Sequence, residues 1–87
     1  MWLRGFKEDE MEIGMLWFDD DGRQDLGVKV SRAADHYRSK YGRTPDLCFV
    51  HPRTLGKNPP KTAAGMKLCS SGSVLPHHFW LGIEDRN

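Results

Sequence analysis

Long apolar runs are missing from this 87-residue chain. No stretch approaches the ~20 apolar residues that a membrane-spanning helix needs. The first ten residues, Met-Trp-Leu-Arg-Gly-Phe-Lys-Glu-Asp-Glu, contain no continuous hydrophobic segment and meet acidic side chains by position 8, so they are not expected to act as a secretory signal. Cysteine is scarce as well: Cys48 and Cys69 are the only two. Both lie in apolar, strand-like surroundings and read as buried free thiols of a reducing compartment, with a disulfide between adjacent strands as the alternative. A cytoplasmic protein without a membrane anchor is the expectation.

Catalytic and cofactor signatures are also lacking. There is no Gly-x-Ser-x-Gly elbow, no phosphate-binding P-loop and no Gly-x-Gly-x-x-Gly turn. Asp19-Asp20-Asp21-Gly22 has the acids of a calcium loop but not their spacing, because Trp17 and Val28 occupy positions where such a loop requires carboxylates. A Cys-His hydrolase would need an exposed Cys48 of lowered pKa, yet Cys48 stands in the most apolar tetrapeptide of the chain. The chain therefore reads as non-catalytic and without a cofactor.

What is present is a patterned α/β sequence. Met11–Phe18 is aromatic and branched, and its alternation sets Met11, Ile13, Met15 and Trp17 on one face of a first strand. The acidic turn at Asp19–Gly22 ends it. From Asp25, the apolar positions Leu26, Val30, Ala33, Ala34, Tyr37 and Tyr41 recur at spacings of three and four and form one helical stripe. Asp25 is the expected N-cap, and Gly42 stands where a left-handed C-cap is wanted. Leu47-Cys48-Phe49-Val50 is apolar on both faces, as in a central strand covered on both sides. A helix of this length joining two strands predicts that they run parallel, in a βαβ unit.

Residues 52–65 hold three prolines, two glycines and three bases, and read as a flexible surface loop. Met66–Cys69 is a short strand, Ser70–Ser73 a turn, and His77–Glu84 a last strand with Phe79, Leu81 and Ile83 on one face and His78 and Trp80 on the other. The expected architecture is one small α+β domain over residues 1–87, with two layers: one main helix on a mixed sheet of three to four strands.

Three readings of function compete. The first is binding of another protein, or of a second copy as a homodimer, through the aromatic last strand with His78 and Trp80 as contact residues. The second is nucleic-acid binding. The chain is asymmetric in charge, with residues 1–25 at −5 and residues 26–87 at +6, which sum to the net +1. Lys29, Arg32, His36, Lys40 and Arg43 fall along one edge of the helix, and Arg53, Lys57 and Lys61 follow in the loop. Such a face neutralises phosphates, with Tyr37, Tyr41 or the tryptophans available to stack on bases. Against it, the sequence pI of about 7.8 lies below the usual footprint of such domains, and the acidic N-terminal segment is a ready intramolecular match. The third is structural zinc or cysteine chemistry drawn from Cys48, His51, Cys69, His77 and His78. Cys48 and His51, three apart on a strand, point to opposite faces unless the chain bends at Pro52.

The succession Lys-Tyr-Gly, Arg-Thr-Pro-Asp, an apolar strand, His-Pro-Arg-Thr-Leu, Gly-Met-Lys-Leu, Val-Leu-Pro and Trp-Leu-Gly resembles small bacterial and phage-associated proteins. Over residues 33–83 it is also similar to the end of the peripheral domain in tailed-phage capsid subunits. The chain is too short for a shell subunit, so the resemblance implies a phage-derived binding module.

Overall fold

The computed structural model describes residues 14–84. Seven elements follow in order: β1 Met15–Phe18, α1 Leu26–Tyr41, β2 Leu47–Val50, α2 Pro52–Leu55, β3 Thr62–Ala63, β4 Met66–Ser70 and β5 His78–Gly82. The expected positions Met11 and Ile13 lie outside the described residues. The five strands make one mixed sheet in the order β1-β5-β2-β4-β3, one strand more than the sequence suggests.

Helix α1 forms where its apolar stripe predicts. Asp25 is extended at its N-terminus, and its Oδ1 accepts from the Val28 N–H at 2.9 Å. At the other end Gly42 takes the left-handed conformation (φ 70°), and its N–H donates to the Arg38 carbonyl at 2.8 Å. Arg38 and Lys40 complement the negative end of the helix dipole. The stripe buries Val30, Ala33, Ala34 and Tyr37 against Met15, Cys48, Val50, Met66, Phe79 and Leu81 of the sheet. Each large apolar side chain so covered is worth roughly 1.5–3 kcal/mol relative to exposure.

β1 and β2 run in the same direction, as the helix between them dictates, but they do not touch. β5 lies between them, antiparallel to both, with Leu16 opposite Trp80 and Phe49 opposite Trp80 in the two registers. The βαβ unit is therefore split. β2, the central strand, is buried at all four positions. Cys48 and Val50 face α1, and Leu47 and Phe49 face the opposite side, where Val74, Cys69 and Trp80 pack on them.

The expected loop over residues 52–65 contains two short elements instead. His51 caps α2, its Nδ1 accepting from the Arg53 N–H at 3.1 Å, and Pro52 supplies the ready-made φ of a first helical residue. β3 turns back into β4 through Ala64 and Gly65, both at positive φ (50° and 78°), the pair of conformations a two-residue hairpin requires. Propensity alone hides β3, because Lys-Thr-Ala-Ala-Gly has little β-forming character.

Candidate functional site

The candidate metal ligands do not converge. Cys48 stands opposite Leu68, and Phe49 stands opposite Cys69. The two thiols therefore project from opposite faces of the sheet, and both are free. Burial, reinforced by Cys69, pushes the Cys48 thiol up to about 12, so it is neutral and inert as a nucleophile. Cys69 is half-buried and also shifted up, chiefly by burial, with Lys67 opposing the shift.

The three histidines of the zinc reading are engaged separately. His51 caps α2. His77, held at φ 65°, donates its N–H to Thr54 Oγ1 at 2.9 Å and accepts at its carbonyl from the Asp19 N–H at 2.9 Å. His78 places Nδ1 2.9 Å from the Pro76 carbonyl and lays its ring against Phe18, centroids 4.9 Å apart. Among the described residues, no three His, Cys, Asp or Glu side chains are grouped as a metal requires.

The basic helix edge is partly dismantled. Lys29 is 8% exposed, so it drops out of any row of phosphate contacts. Tyr37 is fully buried against Tyr41 and cannot stack on a base. Lys67 pairs with Glu84 at 3.5 Å. Arg32, His36, Lys40 and Arg43 remain exposed along the helix, as do Arg53, Lys57 and Lys61 in the following segment. His36 rests on Trp17 with ring centroids 4.5 Å apart, and Lys40 lies 5.3 Å from the Tyr41 ring centroid. An open depression of about 370 Å³ lies beside this pair, bounded by Trp17, Arg32, Asp35, His36 and Ser39. Asp35 is neutralised in part by Arg38, its ion-pair partner one turn on.

On the other face of the sheet, His78 and Trp80 share a side, as the alternation predicts. Trp80 is partly covered: it packs on Leu47, Phe49 and Val74, and its ring lies over Gly14. Besides Leu75 and Val28, the exposed large apolar side chains among the described residues lie next to it, on β1. Leu16 and Phe18, opposite Trp80 and His78 in the register, are 56% and 55% exposed. These two residues were not among the sequence candidates. The signal was present in Met-Leu-Trp-Phe, which is apolar at every position, so whichever face packs on α1 leaves apolar side chains on the other.

Comparison of the chain with protein-family models, curated proteins and solved structures found no match, so geometry alone carries the functional reading.

Proposed function

We propose that this protein is a non-catalytic interaction module that binds a polypeptide partner through the face of β1 and β5 turned away from α1. The observation that carries this reading is the exposure of Leu16 and Phe18, each more than half accessible, beside the aromatic groups of His78 and Trp80. An edge strand with large apolar side chains on its open face is a surface that natural proteins blunt unless it is used. Within β1 itself, Met15-Leu16-Trp17-Phe18, no charged side chain blunts it. The buried Cys48 and the locally engaged histidines fit a scaffold role for the groups that look reactive in the sequence.

A photo-crosslinking residue placed singly at Leu16, Phe18 or the distant, exposed Lys57 tests the proposal in cells. Discrete adducts at positions 16 and 18 and none at 57 are the expected result. Equal yields at all three, or none at any, would overturn it.

Arg32, His36 and Lys40, spaced four apart and all exposed, favour a second reading in which this row contacts nucleic-acid phosphates. With Lys29 buried, the row is short for tight binding.

A further inference from the structure

The main-chain geometry of β1 says more about the partner. Asp19 donates its N–H to the His77 carbonyl, and this pair continues the register that runs from Met15 opposite Leu81 to Phe18 opposite His78. In an antiparallel ladder, alternate residues exchange both main-chain groups with the neighbouring strand, and the residues between them turn theirs away. Met15, Trp17 and Asp19 thus face β5. Leu16 and Phe18 present their N–H and C=O groups to the outer edge, and among the described residues no strand pairs with that edge. The two residues of β1 with exposed apolar side chains are the same two whose backbone groups point outward.

We infer that the partner is a second copy of this chain, paired antiparallel through β1 so that Leu16 of each copy stands opposite Phe18 of the other. This rests on the interaction reading above and names its occupant. A two-fold contact requires a surface that complements itself. The register satisfies this on three counts.

First, with the axis through Trp17, both outward-facing residues of each strand find a partner, which makes about four new main-chain hydrogen bonds. Second, opposite residues in such a pair share a face, so both Leu16–Phe18 pairs come together on the side away from the helices, as adjacent cross-strand contacts. Third, on the helix side, the depression beside Trp17 is bounded by Arg32 and, three residues on, by Asp35, whose carboxylate is shared with Arg38. A surface that holds one cation and one anion can meet its own two-fold copy with opposite charges. The indole N–H groups of Trp17 and Trp80, one on each face of this margin, are buried and lack an acceptor among the described residues. The assembly is a continuous sheet with both α1 helices on the same side.

The test uses the full chain in sedimentation equilibrium and native mass spectrometry from micromolar to millimolar concentration, together with amide hydrogen exchange resolved at single residues. A dimer is expected, with the Leu16 and Phe18 amides protected at high concentration and exposed on dilution. Leu16→Lys and Phe18→Lys should each weaken it roughly tenfold or more while circular dichroism stays unchanged, since both side chains are exposed in the protomer. A strict monomer, or a dimer whose Leu16 and Phe18 amides exchange freely at all concentrations, would overturn the inference. If the monomer still crosslinks another protein at positions 16 and 18, self-pairing falls but the interaction module stands. If it crosslinks nothing there, both fall.

Discussion

Gly14 and Trp80 are in such close contact that a Cβ on residue 14 would sit 2.4 Å from the six-membered ring of the indole. The backbone at the start of β1 is thus the floor on which Trp80 lies, and Trp80 in turn covers Leu47, Phe49 and Val74. One glycine thereby links the β1 margin to the core on the outer face.

Gly14→Ala should lower stability by about 1–3 kcal/mol, because the indole must leave its place or the strand must move. Urea unfolding read by tryptophan fluorescence measures the loss. Trp80→Phe in the same background should recover part of it, since the smaller ring no longer reaches the added methyl; strict additivity of the two changes would count against the contact.

Asp25→Ala removes the only side chain capping the first turn of α1 among the described residues and should cost about 0.5–2 kcal/mol. Asp25→Ser, which keeps an acceptor oxygen, should lose much less. Thermal unfolding of the two variants against the parent separates the cap from any charge effect.

The two thiols set an alkaline limit. Cys48 is raised from 9.0 to about 12 in the fold, so below pH 9 the folded and unfolded chains are both protonated there and its contribution to stability is whole. Between pH 9 and about 12 the unfolded chain releases a proton that the folded chain keeps. Stability therefore falls by up to about 1.4 kcal/mol per pH unit for this group. Urea midpoints measured across that interval should decline, and Cys48→Ala should flatten part of the slope. In native protein a thiol reagent should modify the half-buried Cys69 first and reach Cys48 only on unfolding.

Charge reversal distinguishes the two surfaces. Arg32→Glu with Lys40→Glu should leave the fold intact, and retention on single-stranded RNA should be weak at physiological salt in parent and variant alike. Strong retention by the parent, falling steeply with salt and abolished by the reversal, would move the functional assignment from β1 to the helix.

The helix was legible to the residue because its determinants are local: a stripe at helical spacing, an acid at the N-cap, and a glycine free to turn left-handed after Tyr41. The burial of β2 was legible for a similar reason, since four consecutive apolar side chains cannot all avoid the interior. The insertion of β5 between β1 and β2 had no local signature, because strand order depends on which distant segments meet. The short β3 was hidden for the same cause: it owes its existence to pairing with β4 rather than to its own residues. The helical projection sets Lys29 with Arg32 and Lys40, but only the tertiary structure reveals that it is covered.

Local chemistry along the chain thus settles the capped rod, the buried ribbon at Leu47–Val50 and the lack of catalytic or cofactor signatures, since each depends on neighbours a few positions away. Which strand lies at the margin, which way its amides point and which apolar side chains stay in water are products of long-range pairing. In the sequence Leu16 and Phe18 are two positions of an all-apolar tetrapeptide, and they become a surface because β5 occupies one side of β1 and α1 packs on the other face of the sheet.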